Sequence, residues 1–123
     1  MSSRNGLPEH TGPARLGRAT KHLVRRLEPR DIAIIDHVDL DRVAAEELIE
    51  SGVRVVVNVQ DSQTGKFPNP GPLLLVRGGV RLIDAPGANL FDEIDDGESL
   101  TVRGGALRTL FGGRLFSRAE PST

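Results

Sequence analysis

The stretch Asp31-Ile32-Ala33-Ile34-Ile35-Asp36-His37-Val38-Asp39-Leu40-Asp41 runs four apolar residues straight into three carboxylates and a histidine. Ile32 to Ile35 do not alternate with polar residues, which is the pattern of a strand covered on both faces, as in parallel sheets. Asp36, His37, Asp39 and Asp41 then fall at the carboxyl end of that strand and at the mouth of the next helix, where α/β folds place their ligands. Asp39 or Asp41 suits the N-cap of a helix whose apolar face is Val43, Ala44, Leu48 and Ile49, with Gly52 as its stop signal. Val53-Arg-Val-Val-Val-Asn-Val59 is rich in β-branched residues and supplies the next strand. Together these segments predict a β-α-β unit with parallel strands.

Further along, Gln60 to Gly71 is a Gly/Pro/Asn loop, and Pro70 and Pro72 fit the start of a short helix through Val76 that ends at Gly78-Gly79. Val80 to Asp84 reads as a third strand. Beyond the turn Asp95-Asp-Gly97, the segments Glu98 to Arg103, Ala106 to Phe111 and Arg114 to Ser117 read as short strands separated by Gly104-Gly105 and Gly112-Gly113, the two-residue turns that close hairpins.

Toward the amino terminus the chain changes character. Residues 1–30 carry seven Lys/Arg against Glu9 and Glu28, whereas residues 31–123 carry nine against fifteen acids, so a basic arm precedes an acidic body. Residues 1–14 are rich in Gly, Pro and polar side chains and are expected to be disordered. Leu16, Thr20, Leu23, Val24 and Leu27 recur at helical spacing among Arg15, Arg18, Lys21, Arg25 and Arg26, so residues 15–28 are expected to form a basic amphipathic helix. Its stripe either packs on the body, or residues 15–26 make weak contact with an anionic membrane or an acidic partner. The expected organisation is a tail (1–14), this helix (15–28), one domain (29–118) and a second tail (119–123).

The 123 residues suit a single domain. Without cysteine there is no disulfide framework, thiolate metal site or cysteine nucleophile, and a cytoplasmic location is expected. No apolar run approaches the roughly 20 residues that span a bilayer, and the first residues lack the apolar core of a signal peptide. Four Phe and no Tyr or Trp leave little stacking surface, so no nucleic-acid partner is expected.

Several of these segments carry a resemblance. Pro29 to Asp41, the strand end Val55-Val-Val-Asn58, the loop Ser62-Gln-Thr-Gly-Lys-Phe-Pro-Asn-Pro-Gly-Pro72 and the strand Gly79 to Asp84 resemble the amino-terminal portion of the actinobacterial cytokinetic ring proteins of the SteA family. The likeness covers roughly Thr20 to Arg108. Arg30 stands where that family has glycine, Lys66-Phe67 where it has Arg-Tyr, and Ala85-Pro-Gly87 where it has an acidic segment. Lysine keeps the charge of arginine but not its planar fork. The resemblance implies the first domain of a septation protein whose relatives continue into a thiamine pyrophosphokinase-like domain and a membrane segment. It also implies a non-catalytic regulatory or interaction role with a protein partner at the division site or a neighbouring domain, and septal membrane association of the full-length protein.

The order of elements is also similar, more remotely, to swivelling phosphohistidine domains, which implies an α/β fold of the β/β/α sandwich type with a mixed sheet. Those domains carry a phosphorylatable histidine in the loop before their second helix. Here that loop reads Ser62-Gln63-Thr64-Gly65, and the three histidines are His10, His22 and His37, so phosphoryl transfer of that kind lacks its nucleophile.

Two clusters are therefore candidates for ligand or partner binding. At the strand end, Asp36, His37, Asp39 and Asp41 could hold a metal, while helix capping is the commoner use of such residues. His37 could serve as a general base, but no Ser, Cys or Lys nucleophile lies beside it in sequence. The second cluster is Asn58 with the loop residues Ser62, Gly65, Lys66, Asn69 and Gly71, where glycines allow close backbone approach and the helix start could present N–H groups to an anion. The loop lacks the order of a nucleotide P-loop. The expectations are no catalytic residue, no metal and no cofactor, with a phosphate- or nucleotide-binding module as the alternative function and homo-oligomerisation left open.

Overall fold

The computed structural model describes residues 8–66, 68–109 and 113–117. In chain order the elements are β1 (His10–Leu16), α1 (Thr20–Leu23) continued by a 3-10 turn at Val24–Arg26, β2 (Ile32–Ile35), α2 (Arg42–Ser51), β3 (Val55–Asn58) and α3 (Gly71–Arg77). They are followed by β4 (Arg81–Asp84), α4 (Leu90–Glu93), β5 (Ser99–Arg103), β6 (Ala106–Thr109) and β7 (Arg114–Ser117). Among the described residues this is an α/β fold with four α-helices and a mixed, strongly curled sheet of order β4-β3-β2-β1-β5-β6-β7. β1 to β4 are parallel neighbours, and β5, β6 and β7 continue the sheet antiparallel from the other edge of β1.

The unbroken apolar run of β2 follows from its place in this sheet, because both of its faces are covered. Ile32 and Ile34 pack with Val55, Val57, Leu100 and Leu107 in a core that the β5–β6 hairpin and α4 close. Ala33 and Ile35 face the opposite way, into a second core with Leu40, Ala45, Leu48 and Leu75 from the helical side. Every residue of β2 and β3 is buried. The hairpin turn falls at Gly104-Gly105 as expected, with Arg103 opposite Ala106 and Gly104 at φ 59°.

The amino-terminal reading needs correction. Residues 10–16, expected as disordered tail and helix start, form a central strand, and helix is confined to Thr20–Leu23 and the 3-10 turn after it. Gly12 and Pro13 suggested disorder but have specific uses. A Cβ at Gly12 would collide with the Arg30 carbonyl. Pro13 sits where β1 changes partner, residues 10–13 pairing with β5 and residues 14–16 with β2. A missing N–H is tolerated at such a boundary.

Smaller differences concern which face is buried. α2 is capped by Asp41, whose Oδ1 accepts the Ala44 N–H at 2.9 Å, and ends at Gly52 in the left-handed region. Its inward stripe is Ala44, Ala45 and Leu48, whereas Val43 is 64 % exposed. Leu74 and Leu82 are only partly buried against the helical-side core. α4 was not foreseen in the sequence. Residues 1–7 of the expected tail, Leu110 and Phe111 of the expected strand, Phe67 and the tail 119–123 lie outside the described residues.

Candidate functional site

The carboxyl ends of β2, β3 and β4 align in register, with Ile35 beside Asn58 and Asn58 beside Asp84. Asn58 is fully buried and organises this end of the sheet. Its Oδ1 accepts the backbone N–H groups of His37 (3.0 Å) and Gln60 (3.1 Å). Its Nδ2 donates to the His37 carbonyl (2.8 Å) and to Ser62 Oγ (2.8 Å). The Ser62 hydroxyl donates its one hydrogen bond to Asp84 Oδ1 at 2.6 Å, and the Ser62 N–H donates to Asp84 Oδ2 at 2.9 Å. Asn69 Nδ2 then donates to the Ser62 carbonyl at 3.1 Å, and that carbonyl also accepts the Leu40 N–H. The result is a closed network in which each buried amide and hydroxyl has partners, as buried polar groups require.

Most of the residues singled out in the sequence are held in this network or beside it. Asp39, at φ 51°, accepts from Thr64 through both the backbone N–H (2.8 Å) and the hydroxyl, tying the β2–α2 connection to the loop. Asp41 is the N-cap of α2. Gly71 lies against the β2–α2 connection, where a Cβ would collide with the Leu40 carbonyl and come within 2.8 Å of the Asp41 carbonyl oxygen. The start of α3 offers an anion little, because Asn69 Oδ1 accepts the Gly71 N–H (3.3 Å), residue 72 is proline and the Leu74 N–H is bonded to the Pro70 carbonyl. Gly65, at φ 86° with open space around it, and exposed Lys66 occupy the loop tip.

Asp36 and His37 therefore part company from the loop residues. The backbone of His37 is in the Asn58 network, while its ring Nδ1 lies 3.3 Å from the Val38 carbonyl. Asp36 faces the other way, toward the end of β1. Its Oδ2 pairs with Arg18 Nη1, and its Oδ1 accepts from Gln60 Nε2 at 2.9 Å. Arg18 also lies over the ring of Phe91, 4.3 Å from the ring centroid. Two clefts meet at Arg18 and Asp36. One, of about 280 Å³, reaches Gln60, Phe91 and Asp92, and the other, of about 540 Å³, reaches Lys21, His37, Val38, Val43 and Glu47. Among the described residues no group of three or more His, Asp or Glu side chains converges in a way that could hold a metal ion.

The basic arm is largely paired. Arg26 grips Asp96 with both terminal nitrogens at 3.0 Å, and Arg15 reaches Asp96 and buried Asp31 at 3.5 and 3.6 Å. The hydrogen bond from Arg26 holds the Asp96 carboxyl down to about 2 against the opposing effect of burial, with help from the Leu16 N–H and Arg15. Of the arm's cations, Lys21 and Arg25 alone have no ion-pair partner among the described residues.

Asp84, Thr64, Gln60 and Phe91 were not singled out in the sequence, and Arg18 was read there only as a cation of the basic arm. Asp84 could have been, since it ends an apolar strand just as Asp36 and Asn58 do. The pairing of Arg18 with Asp36 and Phe91 has no such signal, because it depends on the loops after three different strands converging. No family model matches the chain, and no curated protein matches it.

Proposed function

We propose that this chain is a non-catalytic, protein-interaction domain of an actinobacterial septation protein resembling the SteA family, built on a swivelling-domain-like β/β/α sandwich. The carrying observation is the closed network around Asn58. It uses the strand-end and loop polar groups to fix the β2–α2 connection, the loop and β4 to one another, so these groups present a rigid surface rather than free ligands or a poised base. Beside that surface Val38 and Val43 stay exposed at the rim of the larger cleft, apolar area that is open to a protein partner. The partner is a septal protein or the neighbouring domain of the same protein, and no nucleic acid or cofactor is required.

A phosphate- or nucleotide-binding module is the second reading, favoured by the position of both clefts at the carboxyl ends of the parallel strands. The charges around them oppose it, since Asp36, Asp41 and Glu47 outnumber Arg18 and Lys21 at the larger cleft. Calorimetry with thiamine, thiamine pyrophosphate, ATP and Mg²⁺ separates the two, and no saturable heat is expected. Micromolar binding that disappears in Asp36→Ala or Lys66→Ala would replace the first reading with the second. Photo-crosslinking from position 43 in dividing cells is the positive test, and it should yield an adduct with a division protein that is missing when the crosslinker sits at Arg103, on β5 away from these clefts.

A further inference from the structure

The smaller cleft has an unusual lining for a surface depression. Asp36 and Asp92 contribute two carboxylates, Phe91 an aromatic face and Gln60 an amide, against one cation, Arg18. Arg18 is itself the best-placed ligand there. Its guanidinium lies 4.3 Å from the Phe91 ring centroid and donates Nη1 to Asp36, while Gln60 fixes the other oxygen of the same carboxylate at 2.9 Å. An aromatic face below and an oriented carboxylate at the edge together select a flat, delocalised cation with in-plane donors, which is the chemistry of a guanidinium.

Arg18 nevertheless holds this position at the protein surface. Its side chain is 64 % exposed and projects from the connection between β1 and α1, so the ion pair is solvent-screened and contributes little to stability. When Arg18 swings out, the cleft keeps two carboxylates and no cation, a field that rejects phosphate and attracts a basic group.

We infer that Asp36, Gln60 and Phe91 form a guanidinium-binding cradle, occupied in the free domain by the chain's own Arg18, and that its external ligand is an arginine side chain of a protein partner. The inference rests on the interaction reading above and supplies the chemistry of the contact. Arg18 then acts as a built-in competitor. A cradle filled about nine-tenths of the time by its own arginine shows an apparent affinity about tenfold weaker than its intrinsic one.

The test uses N-acetyl-L-arginine N-methylamide, a peptide-like arginine without charged ends, titrated into the ¹⁵N-labelled chain and followed by amide shifts. Removing the competitor by Arg18→Ala should give saturable shifts at Asp36, Gln60 and Phe91, with affinity about tenfold tighter than in the parent. These shifts should vanish in Arg18→Ala/Asp36→Asn and with the uncharged citrulline analogue. Arg18→Gln serves as a second competitor-free variant, and superposable amide spectra away from the cleft confirm the fold of each. No saturable shift in either Arg18 variant, equal response to citrulline, or binding that survives Asp36→Asn would each overturn the cradle. Because the probe needs no partner, these results bear on the cradle alone, whereas absence of an adduct from position 43 bears on the interaction reading.

Discussion

Asn58→Ala is the sharpest test of whether the strand-end cluster is architecture or a ligand set. The buried side chain makes four hydrogen bonds of 2.8–3.1 Å, to the N–H groups of His37 and Gln60, the His37 carbonyl and the Ser62 hydroxyl. Alanine deletes all four and leaves two backbone donors and a carbonyl without their partner in a part-buried space. At about 1 kcal/mol for each stranded group, with a further contribution from the vacated volume, the loss is about 4 kcal/mol. That is a large fraction of the 5–15 kcal/mol typical of a domain. Asp36→Ala, which removes only a solvent-screened ion pair and one amide contact, should lose less than about 1 kcal/mol. The chain has no Trp or Tyr, so urea unfolding is followed by far-UV circular dichroism rather than intrinsic fluorescence. A loss below about 1.5 kcal/mol for Asn58→Ala at unchanged m, or equal losses for the two variants, would refute the structural reading of Asn58.

Three further outcomes follow from other parts of the fold. Gly71→Ala should destabilise by about 2–3 kcal/mol, because its Cβ collides with the Leu40 carbonyl and crowds the Asp41 carbonyl oxygen, both of them backbone; a melting temperature equal to the parent's would show that the β2–α2 connection yields. Asp96 is held near 2 in the fold against 3.8 ordinarily, so its contribution is complete above about pH 4 and disappears as pH falls toward 2. Since Asp96 is about two-fifths exposed, that increment is below about 1 kcal/mol and shrinks with salt, and Asp96→Asn should flatten the stability profile between pH 4 and 2; an unchanged profile would contradict the pairing with Arg26. Any binding to anionic liposomes should be weak, salt-sensitive and abolished by Lys21→Ala/Arg25→Ala, the arm's two cations without ion-pair partners among the described residues, and co-sedimentation that persists in that double variant would place the contact elsewhere.

The sequence makes the parallel half of the fold legible because burial on both faces imposes a composition: Ile32 to Ile35 and Val55 to Val57 have no polar alternation to hide. β1 was illegible for the opposite reason. Half of it faces an antiparallel partner and half a parallel one, so it has no single period, and its Gly12 and Pro13 are the residues by which unstructured segments are recognised. The candidate site fails to resolve in sequence for a different physical reason. An Asn, Ser or Asp after an apolar strand looks the same whether its polar atoms await a ligand or bond to one another; what differs is whether the loops after neighbouring strands fold back within hydrogen-bonding distance. Here the Ser62 to Gly71 loop does so, consuming Asn58, Ser62 and Asn69, while Asp36 at the same level of the adjacent strand is left facing Arg18 and Phe91. Two carboxylates of similar sequence context, Asp36 and Asp84, thus take opposite parts: Asp84 closes a buried network through Ser62, and Asp36 lines an open cleft where its partner is an exposed arginine that a second arginine can replace.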